Sequence, residues 1–449
     1  MRSLRGASPA AIRPLLIAAA CGALSACSVV GDVFDGDDPP QIVRGERIPI
    51  LTAEQTLSVD PDQATPANVP PPYVNASWPQ TGGAPTHAMQ NPDGGGLSRA
   101  WRRSVGAGDS RDSRITAQPV IESGRIFAMD GDGEVVAFDA DTGSQLWRKR
   151  LRVENDRDKY GFGGGLAIAG GRVIVASGMG LLAALDPEDG DISWSVETAT
   201  PLHSAPTVSD GRVFVVSDDN VLTAMDANTG ERLWSFQGIT EPARLLTSPA
   251  PAVFGEMVVS PFGSGELVAL NAASGQPIWS DTLTRAGRLA PISTLNDVAG
   301  SPVIYDGVVY AMSHSGVLAA VQMSTGERVW TLPAGGVNMP WLAGDSLFVV
   351  TGDAELVAID RTGGAVRWMS QLPGFKNEEK RKNKISWAGP VLSGGQLVVV
   401  SSQGEGRLYD PVTGLQTGEF EPGDTFVSPI VADRTLYVLN SDGELSAYR

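Results

Sequence analysis

The 449-residue sequence is poor in cysteine, in histidine and in basic residues. It has two cysteines, Cys21 and Cys27, too few for a disulfide scaffold. Its three histidines, His87, His203 and His314, stand at unrelated places, which argues against a histidine-based metal centre. Basic residues are in the minority, 34 Lys and Arg against 51 Asp and Glu, for a formal net charge of −17. Such an acidic surface argues against nucleic acid as a partner and against a broad basic membrane footprint. No Gly-x-Ser-x-Gly elbow occurs. The only long apolar run, Leu15–Leu24, is too short to span a bilayer.

What is present is a repeat. Ala137-Phe-Asp-Ala-Asp-Thr-Gly-Ser-Gln-Leu-Trp147, Ala224-Met-Asp-Ala-Asn-Thr-Gly-Glu-Arg-Leu-Trp234 and Ala269-Leu-Asn-Ala-Ala-Ser-Gly-Gln-Pro-Ile-Trp279 are its clearest copies. A period of about 40–50 residues marks an array of small units. Within one unit, Val303-Ile304, Val308–Tyr310 and Val317–Ala319 have strand length, and Asp306-Gly307, Ser315-Gly316 and Thr325-Gly326 punctuate them as turns. The turn before each Trp opens on Asp139, Asp186, Asp226, Asn271, Asp360 or Asp410 and closes on Gly143, Gly190, Gly230, Gly275, Gly363 or Gly414. A short Asx side chain bonds the backbone two residues on and Gly takes the left-handed position, so these residues are turn formers.

One large aromatic per four-strand unit suits the interface between neighbouring sheets of a propeller. Trp147, Trp194, Trp234, Trp279, Trp330 and Trp368 end six units, and the seventh reaches Gly418 or Phe420 instead. The eighth, from Ser428 to Tyr448, lacks its last strand, which is present upstream as Leu97–Val105 with Trp101. The expected fold is all-β: an eight-bladed β-propeller of four-stranded antiparallel blades, closed by the N-terminal strand in the last blade. Closure removes the exposed sheet edges.

Residues 1–26 read as a lipoprotein signal peptide: Arg2, Arg5 and Arg13 precede the apolar run, and Leu24-Ser-Ala-Cys27 resembles a lipobox with Cys27 as the lipidated residue. Its removal takes away three Arg and no acid, leaving the chain more acidic still. Ser28, by analogy with lipoprotein sorting, favours the outer membrane, with the chain on its periplasmic face. Residues 27–96 read as a Pro- and Asp-rich tether, within which Arg47–Leu51 could dock on the ring, and 97–449 as the propeller.

Candidate chemistry is sparse. Asp130-Gly-Asp-Gly-Glu134 sits between two strand-like runs, so it reads as a hairpin turn and not a calcium loop. Gly161-Phe-Gly-Gly-Gly165 has no Lys-Ser/Thr and reads as the start of a strand. Two charged loops, 150–159 and 376–384, stand out, and the second is locally basic. The longest interval between Trp ends places extra chain at Thr282–Gly300, where binding residues would concentrate.

The Ala-x-Asp-x-x-Thr-Gly-x-x-x-Trp repeat resembles the quinoprotein propeller motif, shared by pyrroloquinoline-quinone dehydrogenases and non-enzymatic relatives. With the lipobox and acidic tether, the chain resembles the BamB family of propeller lipoproteins in the outer-membrane β-barrel assembly machinery. That resemblance implies a non-enzymatic scaffold without cofactor or metal, docked on periplasmic POTRA domains of the central barrel subunit. Unfolded outer-membrane clients are a further implied partner. It also implies two docking segments, matched here by Pro242-Ala-Arg-Leu-Leu246 and Leu295-Asn-Asp-Val298. Arg244, Leu245, Leu246, Leu295 and Asp297 are thus the candidate partner-binding residues, with Ala299 where the family often has a second acid. The competing readings are a quinone-dependent dehydrogenase, which usually carries an adjacent Cys-Cys disulfide that this chain lacks, and a periplasmic ligand-binding or adaptor propeller.

Overall fold

A computed structural model describes residues 56–59, 61, 65–153, 163–241, 245–284 and 296–449. Eight four-stranded antiparallel sheets follow one another as blades, with one extra two-stranded hairpin. Blade 1 is built from Val120–Glu122, Arg125–Met129, Glu134–Asp139 and Gln145–Arg150. Blades 2 to 7 repeat this order over 164–197, 207–237, 252–282, 303–332, 341–371 and 387–420. Blade 8 takes Ile430–Ala432, Thr435–Leu439 and Glu444–Tyr448 from the C-terminal side and Arg99–Ser104 as its outermost strand. The ladder of that seam runs from Arg99 opposite Tyr448 to Ser104 opposite Glu444, with Trp101 opposite Ala447. The eight-bladed closure read from the sequence is the observed one.

The tryptophans join the blades. Each lies opposite an alanine of its own third strand, as Trp234 does Ala224, so the indole has room to lean outward. It packs on the turn between the third and fourth strands of the next blade and donates its indole N–H to a carbonyl there. Trp101 reaches Ala140 O at 3.1 Å, Trp147 Pro187 O at 2.9 Å and Trp194 Ala227 O at 3.1 Å. Trp234 reaches Ala272 O at 3.1 Å, Trp279 Met323 O at 2.7 Å, Trp330 Arg361 O at 2.9 Å and Trp368 Pro411 O at 3.0 Å. The turn glycine makes this approach possible: a Cβ on Gly275, at φ +71°, would sit 2.6 Å from the Trp234 ring. In blade 6 that position is Gly364, at φ +78° against Trp330, and not the Gly363 expected from the sequence. Gly363 instead donates its amide to Asp360 Oδ1 at 2.8 Å, one residue short of the tight bend.

The seventh blade breaks the rule for a physical reason. Its outermost strand would send a Trp onto the third-to-fourth strand turn of blade 8, but blade 8 draws its fourth strand from the other end of the chain and has no such turn. Gly418 stands there, opposite Leu408, and Phe420 meets the edge of Tyr448 at 5.3 Å.

The described part of the segment expected as a tether packs on the ring. Residues 73–93 form an inner loop that visits the blades in order. Asn75 accepts the Asp433 amide (2.7 Å) in blade 8, and Trp78 exchanges both backbone bonds with Ile121 (2.7 and 2.9 Å) in blade 1. Pro79 O accepts Ile168 N (2.6 Å) in blade 2, and Gln80 Oε1 accepts Val208 N (2.8 Å) in blade 3. Pro85 O accepts Val253 N (2.7 Å) in blade 4 and Thr86 O accepts Ile304 N (2.9 Å) in blade 5. Gln90 takes the Trp341 indole N–H (2.8 Å) in blade 6, and Asn91 Oδ1 takes Gly395 N (2.9 Å) in blade 7. Tyr73 and Asn91 then close the circuit, with Tyr73 N donating to Asn91 O at 3.0 Å. Trp78, fully buried, stacks on Trp341 with ring centroids 6.2 Å apart. Upstream, the Arg367 guanidinium, buried on blade 6, donates to Thr65 O (2.9 Å) and Pro66 O (2.7 Å) and pairs with Asp360 at 2.6 Å.

Candidate functional site

Because strands alternate in direction, every connection from the outermost strand of one blade to the innermost strand of the next emerges at one end of the ring. Six of these connections converge there on a cavity of about 270 Å³, with Thr81 of the inner loop also lining it. Its walls mix hydroxyls such as Thr116, Ser301 and Ser428 with apolar side chains. Leu246, Val337 and Phe426 line it while remaining 53, 38 and 46 % exposed, an unusual concentration of open apolar surface around one mouth. Arg114 caps Phe426, its guanidinium carbon 5.5 Å from the ring centre.

The two segments singled out in the sequence meet at this mouth. Asp297 is buried, and its Oδ2 accepts the main-chain amide of Leu245. The Asp297 carbonyl accepts His314 N at 2.9 Å, which fixes the loop between blades 4 and 5 to blade 5. Ser301 Oγ accepts Ala250 N at 2.9 Å and joins the same two loops a second time. Leu245 and Leu246 therefore stand on a pinned loop, with Leu246 the more open of the pair. The carboxylate of Asp297 faces inward as a clamp, whereas the sequence pattern suggested an outward contact. Ala299 is buried and lines the cavity, so no second acid is offered there. Arg244, Leu295 and Cys27, with the signal segment, Arg47–Leu51 and most of the loop at 150–159, lie outside the described residues.

The sequence reading missed Val337, Trp387 and Phe426, which share this mouth. Val337 and Phe426 sit in inter-blade connections of no fixed pattern and Trp387 opens the first strand of blade 7, so only the three-dimensional convergence of these positions identifies them.

The candidate metal and cofactor features resolve into architecture. Asp130 Oδ1 accepts Asp132 N (3.0 Å) and Glu134 N (2.8 Å), and Oδ2 accepts Ala107 N (2.8 Å), so its carboxylate is consumed by a turn. Burial pushes the Asp130 carboxyl upward while these amides pull it back. Gly164 begins the first strand of blade 2, as expected. His87 is buried in the inner loop, where Nδ1 donates to Pro302 O at 2.6 Å. Among the described residues no group of three or more His, Cys, Asp or Glu is placed to hold a metal ion.

Fold and repeat define an eight-bladed propeller of the quinoprotein type. The same fold is found in a europium-containing methanol dehydrogenase, at a TM-score of 0.66 and 14% identity over 81% of this chain and 89% of that one. It is also found in BamB from Moraxella catarrhalis, at a TM-score of 0.66 and 20% identity over 79% of this chain and 99% of that one. The sequence separates these two directions. The family model described as outer membrane protein assembly factor BamB matches residues 87–150 and 131–370. The assembly factor of that name from Salmonella typhimurium is 33% identical over 77% of this chain and 87% of its own length. The one from Alkalilimnicola ehrlichii is 33% identical over 80% and 89%. The chain belongs to the outer membrane protein assembly factor BamB family.

Proposed function

We propose that this chain is a non-enzymatic assembly factor for outer-membrane proteins, held at the periplasmic face of the outer membrane through a lipidated Cys27. Its funnel face docks on one or more POTRA domains of the central barrel subunit of the assembly machinery. Leu245 and Leu246 provide the apolar seat, Asp297 holds them in place, and Arg244 and Leu295 flank them in sequence. The observation that carries this reading is the Asp297–Leu245 bond at the mouth of the funnel, which presents Leu246 to a partner. An anchor of one exposed aliphatic in a rim of apolar neighbours is the make-up of a small binding hot spot. Rigid presentation lowers the ordering cost of binding. A quinone-dependent activity would need a cofactor cradle, and Asp130 and His87 are taken up by a turn and by the buried inner loop.

The test is a pull-down of the lipidated protein from detergent-solubilised envelopes. Leu246→Asp combined with Asp297→Ala should abolish recovery of the barrel subunit while the circular dichroism of the ring is unchanged. Recovery equal to wild type would reject this face, and sustained oxidation of alcohols or sugars after addition of quinone and calcium would reject the non-enzymatic reading.

A further inference from the structure

The connection between blades 6 and 7 carries a feature that the docking seat does not use. Phe375–Asn377 pairs with Lys382–Lys384 as an antiparallel hairpin standing on the funnel face. It grows from the apolar base of Leu372, Ile385 and Trp387, all buried, and Trp387 also lines the funnel. The hairpin is braced internally. Glu378 Oε1 accepts the amides of Gly374 (2.9 Å) and Phe375 (3.0 Å), Asn377 Oδ1 accepts Lys380 N (2.9 Å), and Arg381 lies over the Phe375 ring at 5.2 Å. Every residue from 376 to 384 is exposed.

Its composition is set apart from the rest of the chain. The protein has six lysines among its 34 basic residues, and four of them, Lys376, Lys380, Lys382 and Lys384, are in this hairpin. Everywhere else the cation of choice is arginine, whose planar fork makes fixed bonds such as those of Arg367 and Arg328. A flexible, hydrated lysine gives up that geometry and keeps the charge, which suits attraction of an anionic surface without a rigid register. No salt bridge among the described residues involves any of the four lysines.

We propose that hairpin 375–384 is an electrostatic docking element that receives an Asp/Glu-rich segment of the same partner that seats on Leu245 and Leu246. This rests on the docking reading above and adds a second, charged contact to it. Two observations select a protein segment over a lipid surface. The hairpin is continuous with the funnel rim through Trp387, so a partner on the apolar seat lies beside it. The body behind it is strongly acidic, at a net −17, and screening at physiological salt acts over about 8 Å. A flat anionic bilayer that met the hairpin would also face that body and be repelled, whereas a narrow acidic segment meets the hairpin alone, where the four lysines and Arg381 outnumber Glu378 and Glu379.

The experiment measures association of the full-length lipoprotein with the full-length, detergent-solubilised barrel subunit as a function of salt. Replacing Lys376, Lys380, Lys382 and Lys384 by Ser should slow association about tenfold at low ionic strength. The deficit should vanish near half-molar salt, and dissociation should hardly change. The matching Lys→Arg variant should associate at the wild-type rate. If the wild-type protein binds and the Ser variant associates equally fast at low salt, the hairpin proposal falls and the apolar seat stands. If the wild-type protein does not bind the barrel subunit, both fall. If the Ser variant loses only binding to vesicles of phosphatidylglycerol and phosphatidylethanolamine, the element faces lipid and the proposal is overturned.

Discussion

The carboxylate of Asp297 accepts the backbone amide of Leu245, two residues 52 positions apart in sequence and in different inter-blade connections. One bond thereby converts two loops into one surface. Asp297→Ala leaves that amide unmatched in a half-buried setting, at a cost of about 1 kcal/mol. The expected outcome is a modest fall in melting temperature together with weaker co-purification of the barrel subunit. Leu246→Ala, at an exposed position, should leave the melting temperature unchanged and weaken binding about tenfold.

The inter-blade tryptophans predict a contrast between two glycine substitutions. Gly275 and Gly211 both have positive φ, at +71° and +74°, but only at Gly275 would a Cβ meet a tryptophan ring. Gly211→Ala should cost about 1 kcal/mol from backbone strain alone. Gly275→Ala should cost clearly more, and Trp234→Ala about 3–5 kcal/mol through the cavity it leaves. Urea unfolding of the three variants orders them, and equal costs for the two glycines would contradict the packing account.

His87 makes the inner loop sensitive to acid. Burial lowers its pKa from 6.5 to about 4, partly offset by its bond to the Pro302 carbonyl. The unfolded chain therefore takes up a proton between these values that the folded ring refuses. Stability is complete above about pH 6.5 and declines as the pH falls to about 4, by about 3 kcal/mol in all. Thermal melts of His87→Gln should show a flatter dependence over this window than the wild type, and an unchanged slope would assign the acid sensitivity elsewhere.

Arg367 fastens the chain where it reaches the ring. Its guanidinium bonds the carbonyls of Thr65 and Pro66 while paired with Asp345 and Asp360. Arg367→Ala removes both roles and leaves two partly exposed carboxylates side by side, a loss of about 1–3 kcal/mol through the hydrogen bonds left unmade. Limited proteolysis should cut earlier within 65–72 in the variant, with the fragments from the blades still intact.

Much of this architecture was legible because a blade announces itself locally. Alternating runs, Asx–Gly turns and a Trp once per unit survive in the linear sequence, and Trp101 without a unit of its own revealed the seam. The absence of a Trp from the seventh blade could be seen but not explained, since the missing turn of blade 8 exists only once the ends meet. Gly363 and Gly364 are adjacent and chemically identical, so only the observed φ tells which one bends. The inner loop was hidden for a different reason. Its bonds run from irregular, Pro-rich backbone to strand edges far away in sequence, and such contacts leave no periodic trace. For the candidate site, the pairing of the two loops could be anticipated through family likeness, whereas the inward aim of Asp297 required coordinates.

The inner loop carries an implication for how this ring keeps its size. Proteins made of tandem units gain and lose copies readily, because each unit needs only its two neighbours. Here residues 73–93 touch all eight blades in succession and then close on themselves. A ring with one unit more or fewer would leave this segment too short or too long to meet its own start. The segment serves as a ruler, and by holding the blade number constant it preserves the spacing of every loop around the mouth.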